Sequence, residues 1–91
     1  MEGWVFYILE CGDGTLYTGI TDHLQRRLQA HRSGKGAKYT RGRGPLVLRY
    51  LEAGMDRSTA LKREIEVKRL SRTEKLQLIS SCVYNLSEWE N

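Results

Sequence analysis

Five side chains spread along the chain form a set suited to cutting a phosphodiester bond: Tyr7, Tyr17, Arg27, His31 and Glu64. That reaction needs an activated water, positive charge where the transferring phosphate gathers negative charge, and help for the leaving oxygen. Arg27 offers a fork of N–H donors that grips phosphate oxygens in a geometry lysine cannot match. One carboxylate, Glu64, is enough to hold Mg²⁺ or Mn²⁺, because such an ion keeps most of its waters and takes other oxygens from substrate phosphate. A phenol with a pKa of about 10 is a poor base at neutral pH unless nearby cations lower it. Arg27 and a metal ion would be those cations. Each residue also has an ordinary explanation. Tyrosines in strands are most often core or interface aromatics, a histidine near a helix end interacts with the helix dipole, and arginines are common on surfaces. Only their joint arrangement raises the chemical reading above these.

The elements that must position them can be read from periodicity. Trp4–Glu10 and residues 15–21 are aromatic and β-branched, with Cys-Gly-Asp-Gly between them as turn chemistry. If the loop is Gly12-Asp13-Gly14, closed by Cys11 and Thr15, its odd length points Tyr7 and Tyr17 to the same face. In that register Tyr7 lies opposite Gly19, whose missing side chain leaves room for the ring. Asp22 is the expected N-cap of a helix over residues 23–32, stopped by Ser33-Gly34, with Leu24 and Leu28 docking on the sheet. Arg27 and His31 are four apart on one face of it. SGKGAKYTRGRGP reads as a basic surface loop with a helical turn at Ala37-Lys38-Tyr39. It is not a phosphate-binding P-loop, since a helix precedes it.

LVLRYLE, residues 46–52, is a third strand, and Asp56 or Ser58 starts the next helix. There Ala60, Leu61, Ile65 and Val67 define the inward arc, with Glu64 inside it and Lys68 beside it. A carboxylate in an apolar arc is costly unless paired. Two readings stand: an i,i+4 Glu64–Lys68 ion pair, or a metal ligand. Ser71-Arg72-Thr73-Glu74 has capping-box form and opens a last helix through Ile79. The order β-β-α-β-α-α predicts an α+β fold, a small three-stranded antiparallel sheet flanked by helices. Residues 1–82 form the expected domain. Residues 83–91 form a tail without clear period, where Tyr84, Leu86 and Trp89 are placed to pack locally. The geometric expectation is that Tyr7, Tyr17, Arg27 and Glu64 line one concave surface.

Ninety-one residues make one small domain. No apolar run is long enough to span a membrane and no secretory leader is evident, so export is not expected. Cys11 and Cys82 have no metal-ligand spacing and make no disulfide framework, which suits a reducing cytoplasm. Net charge is +4, but its distribution tells more: residues 23–51 contain no Asp or Glu. Arg26, Arg27, Arg32, Lys35, Lys38, Arg41, Arg43 and Arg49 all lie in that stretch. A solvated face normally mixes signs, so this block points to an anionic partner, nucleic acid first.

Phe6-Tyr7-Ile8 followed by Tyr17-Thr18-Gly19 resembles the two half-motifs of the GIY-YIG nuclease superfamily. The resemblance continues through Arg27 and His31, the SGKGAKYTRGRGP segment and Ala60 to Glu64, covering roughly residues 4–80. The chain is most similar to the small stand-alone bacterial members, which resemble the nuclease domains of structure-selective endonucleases and of excision-repair nucleases in DNA repair. The resemblance implies a metal-dependent endonuclease hydrolysing DNA. Tyr7 would be the general base or its relay, Tyr17 would orient water or the scissile phosphate, and Gly19 would allow close packing. Arg27 would stabilise phosphate, His31 would be a second proton-transfer candidate, and Glu64 would bind one divalent ion, Mg²⁺ or Mn²⁺. Arg26, Arg32, Lys35, Lys38, Arg41, Arg43 and Lys68 would contact nucleic acid. Two departures stand out. The first half-motif keeps only its tyrosine, and Glu74-Lys75-Leu76-Gln77 lacks the asparagine some relatives place beyond the glutamate helix. With no appended DNA-binding domain, specificity is expected to come from substrate structure or a protein partner. RNA is the other candidate nucleic acid. The competing classes are a nucleic-acid-binding module that keeps the fold with little catalysis, and a protein-interaction adaptor with a basic face.

Overall fold

The computed structural model describes residues 3–89. Strands β1 (Trp4–Glu10) and β2 (Leu16–Thr21) pair antiparallel, with Tyr7 opposite Gly19 and Leu9 opposite Tyr17. The odd-loop register therefore holds. The Cys11 amide donates to the Thr15 carbonyl at 2.8 Å, the Gly14 amide returns to the Cys11 carbonyl at 2.8 Å, and Gly14 sits at φ 84°. That is the left-handed conformation a three-residue hairpin loop requires of its last residue. Strand β3 (Val47–Met55) adds to the other side of β1, giving the order β2-β1-β3. β3 runs past the residues 46–52 expected from sequence, because Ala53 to Met55 continue the ladder back to Trp4.

Each sheet face has its own core. On one, Val5, Tyr7, Leu9, Leu48 and Leu51 meet Leu24 and Leu28 of α1 (Leu24–Arg32). On the other, Phe6, Ile8 and Tyr50 meet Val67 of α2 (Arg57–Lys68), with Leu78 and Ile79 of α3 (Arg72–Ser80) alongside. A central strand buried on both faces reads as a continuous apolar run, as Val5 to Leu9 do. The capping box of α3 forms as expected, Ser71 accepting from the Glu74 amide and Glu74 from the Ser71 amide. Tyr84, together with Leu86 and Trp89 of the one-turn helix α4 (Leu86–Trp89), packs against the first core.

Two local expectations are corrected. His23, not Asp22, caps α1: its Nδ1 accepts from the Arg26 amide at 3.3 Å, while Thr21 Oγ1 holds the His23 amide at 3.0 Å. An imidazole nitrogen is a legitimate acceptor, but one that cap statistics rarely suggest. Ile65 does not face inward; it is 51% exposed. Ala60 and Val67, seven residues apart, fix a narrow contact line, and Glu64 rather than Ile65 falls on that line at 100° per residue.

Candidate functional site

Tyr7 rises from the centre of β1 and its phenol passes over Gly19 of the edge strand. A Cβ at position 19 would lie 2.5 Å from the Tyr7 hydroxyl oxygen and 2.6 Å from Cζ. The hydroxyl then meets His31 Nε2 of α1 at 2.9 Å. Tyr17 closes the group, its ring centroid 5.2 Å from that of His31 and 6.5 Å from that of Tyr7. Arg27, one turn before His31, lies close enough for its charge to bear on both phenols. α1 and the hairpin thus carry four of the expected residues to one place.

Glu64 comes from the other side of the sheet, on α2, yet its charge bears on Tyr7. α2 is tied to β3 by Arg63, which donates to Glu52 at 2.9 Å. The ion pair of Glu64 with Lys68 exists but is loose at 3.8 Å, with Lys68 exposed and the Glu64 side chain largely covered. Among the described residues no three His, Cys, Asp or Glu side chains stand together as a metal cage. A single covered carboxylate with a loose partner fits an ion that draws its remaining ligands from water and phosphate.

The expectation of one concave surface is corrected. Tyr7 is fully buried. A recess of about 370 Å³ lies against His31 and Thr40, lined also by Arg32, Pro45 and Leu46, and two others follow the edge of β2. A recess of about 350 Å³ at its start is lined by Leu16, Tyr17, Thr18, Tyr39, Lys68 and Lys75. A smaller one of about 170 Å³ at its end is lined by Thr21, Asp22, His23, Arg26, Arg27 and Ala30. Gly19 lies between them.

The electrostatics follow from burial. Tyr7 is pushed up to about 12 by loss of water and by the neighbouring Tyr17, against the pull of Arg27. His31 is lowered to about 4, first by burial and then by the Arg27 charge. Arg27 loses hydration, but its contacts with the two phenols outweigh that and hold it above its ordinary value. At neutral pH the site therefore holds a protonated phenol, a neutral imidazole and a guanidinium cation.

The basic residues divide. Arg26, Lys35, Lys38 and Arg41 are exposed. Arg32 is exposed too, but its Nε and Nη2 donate to the Leu46 carbonyl at 3.2 and 3.1 Å. Arg43 pairs with Asp13 at 2.6 Å and lies over the Tyr39 ring, 4.5 Å from its centroid. Sequence reasoning missed Tyr39, which stacks on Tyr17 at 5.9 Å and 26°, and Thr40, whose hydroxyl meets His31 Nδ1 at 3.0 Å. It also missed Gly36, which sits against the His31 ring. Their only signal was membership of the basic loop, whose charges masked its contacts with the core.

A family model described as the GIY-YIG catalytic domain matches residues 3–77. The chain belongs to the GIY-YIG family. Among its relatives is a UPF0213 protein of Clostridium perfringens, 55% identical over 75 residues, covering 82% of this chain and 81% of that one. A UPF0213 protein of Syntrophus aciditrophicus is 58% identical over 74 residues, 80% of this chain and 85% of the other. The solution structure of a UPF0213 protein from Bacillus halodurans is similar at TM-score 0.56 and 53% identity, covering 85% of this chain and 82% of that one. That of protein EF2693 from E. faecalis is similar at TM-score 0.61 and 41% identity, covering 89% and 90%. In this GIY-YIG domain the two half-motif tyrosines are the residues that flank His31, and the glycine of the second half-motif is the one beneath the Tyr7 phenol. No helix among the described residues is long and apolar enough to cross a membrane.

Proposed function

We propose that this GIY-YIG domain is a divalent-metal-dependent endonuclease that hydrolyses phosphodiester bonds in DNA. The observation that carries this reading is the buried Tyr7–His31 pair at 2.9 Å, with the Arg27 charge bearing on Tyr7 and the Tyr17 ring 5.2 Å from that of His31. Arg27 binds the scissile phosphate as it arrives along the β2 edge and offsets its growing charge. Tyr17, half exposed at the recess, orients that phosphate or the attacking water. Tyr7 hands its proton toward His31 Nε2 and so becomes able to take one from water. Glu64 is the residue that would hold Mg²⁺ or Mn²⁺, an ion that supplies Lewis-acid stabilisation and lowers the pKa of bound water. Exposed Lys35, Lys38, Arg41 and Arg26 bind the flanking backbone, with Lys68 at the edge of the recess.

A second reading, a nucleic-acid-binding module with little catalysis, has one observation in its favour. Burial holds Tyr7 above and His31 below their ordinary values, which opposes proton transfer from the phenol to the imidazole in the free protein. Cleavage therefore requires bound cation and phosphate to bring the two values together. A screen of single-stranded, duplex, flap and junction DNA with Mg²⁺ or Mn²⁺ separates the readings. Metal-dependent cuts that vanish in Tyr7→Phe and Glu64→Gln support the enzyme. Salt-sensitive binding without cuts on any of these supports the module.

A further inference from the structure

His31 touches two hydroxyl groups, and the second of them belongs to a residue to which the catalytic reading assigns nothing. Thr40 Oγ1 lies 3.0 Å from His31 Nδ1, and the same oxygen donates to the Ala37 carbonyl at 2.9 Å. A hydroxyl has one proton. With it given to Ala37, Thr40 has only lone pairs to offer the ring, so Nδ1 must be the nitrogen carrying hydrogen. Nε2 then presents a lone pair, and the Tyr7 hydroxyl at 2.9 Å is the donor. Thr40 and His31 are each 2% exposed, and both border a recess of about 370 Å³ at the end of α1.

We propose that Thr40 is a positioning residue that locks His31 in the Nδ1–H tautomer, so that Nε2 is always ready to accept from Tyr7. The proposal rests on the reading of Tyr7 and His31 as the proton-handling pair. The surrounding loop is built to the same end. Any side chain at Gly36 would strike His31 Nδ1, and its Cβ would come within 2.8 Å of Cα and Cγ, so the loop backbone packs directly on the ring. The short 3-10 turn Lys38–Thr40 faces its one buried residue, Thr40, inward and leaves Lys38 and Tyr39 outside. One segment thus offers cations to solvent and an acceptor to the buried imidazole. The lowered His31 value agrees with a ring that is neutral at working pH and so has a tautomer to choose.

Without the Thr40 oxygen the other tautomer becomes competitive. Its Nε2–H would donate to the Tyr7 oxygen, and the phenol proton would have no acceptor in the pair. Long-range ¹H–¹⁵N spectra of the full chain read the tautomer directly. Wild-type protein is expected to show His31 protonated at Nδ1 and bare at Nε2. Thr40→Val, which keeps the shape and removes the acceptor, is expected to shift His31 toward Nε2–H. On any substrate the wild type cleaves, it should lower kcat at least about tenfold with little change in KM. Thr40→Ser should restore both the tautomer and the rate. Wild-type His31 protonated at Nε2 overturns the proposal even if Thr40→Val fails to fold. So does a folded Thr40→Val protein with tautomer and kcat unchanged. Failure of the underlying functional reading appears separately, as a Tyr7→Phe protein that cleaves at the wild-type rate.

Discussion

Gly19→Ala adds one methyl group to the strand beside the Tyr7 phenol. The new Cβ would stand 2.5 Å from the hydroxyl oxygen, 2.6 Å from Cζ and 3.1 Å from Cε1. Ordinary contact needs about 3.5 Å or more, so the ring must retreat by about 1 Å. It has little room to do so, since Tyr7 sits on the central strand between Gly19 and Leu51 and is fully buried. Overpacking of this kind costs about 1–3 kcal/mol, roughly 5–20 °C in melting temperature for a domain of this size. The same retreat stretches the 2.9 Å bond to His31, and a misplacement of about 1 Å at a reacting group can cost about 10²-fold in rate. The assays are thermal denaturation by circular dichroism, the His31 nitrogen spectrum, and cleavage at saturating substrate. Gly14→Ala is the control, because Gly14 has a positive φ of 84° with nothing within 4 Å of its added Cβ. It should show the backbone cost alone, about 1–2 kcal/mol, and leave the Tyr7–His31 pair intact. A Gly19→Ala protein melting within about 2 °C of wild type, with an unchanged His31 spectrum, would refute the claim that position 19 is kept empty for the phenol.

Glu64→Gln should fold normally, since the loose pair with Lys68 is worth only about 0.3–0.5 kcal/mol, yet lose metal-dependent cleavage; Lys68→Met should be milder, and an unfolded Glu64→Gln protein would mark Glu64 as a structural ion-pair partner instead. Binding to duplex DNA should weaken with salt at a log–log slope of about −0.9 for each phosphate the protein neutralises. Alanine at exposed Lys38 and Arg41 together should therefore flatten that slope measurably, whereas an unchanged slope in filter or fluorescence titrations would place the DNA elsewhere on the surface. Stability should fall on acidification before ordinary carboxylates titrate. His31 has a folded value near 4 against about 6.5 unfolded, so its neutral form stabilises the fold fully above about 6.5, and that contribution, on the order of 3 kcal/mol, is lost as pH falls toward 4. Denaturant unfolding of His31→Gln should be flatter than wild type across that window, and a parallel curve would contradict the burial assigned to the ring.

The sheet, its hairpin register and the meeting of Tyr7 with Tyr17 were legible in the sequence by itself. Alternation of side chains along a strand is strictly twofold, so loop parity alone decided which face each tyrosine takes. The glycine opposite Tyr7 was legible for the same reason, as was the shared face of Arg27 and His31 one helical turn apart. Residues that make their contacts through local geometry announce them in their spacing. Three features could be decided only by the tertiary structure. Thr40 and Gly36 look like any polar and small residues in a basic loop until the loop folds back on His31, a pairing set by the path of the chain between α1 and β3. Ile65 lies outside because Ala60 and Val67 alone suffice to dock α2, and the width of a buried stripe depends on what it meets. Tyr7 is buried rather than open because Tyr17, α1 and the tail residues Tyr84, Leu86 and Trp89 gather around the core cluster it belongs to. Burial is a property of what surrounds a side chain, and those surroundings come from segments far away in the chain.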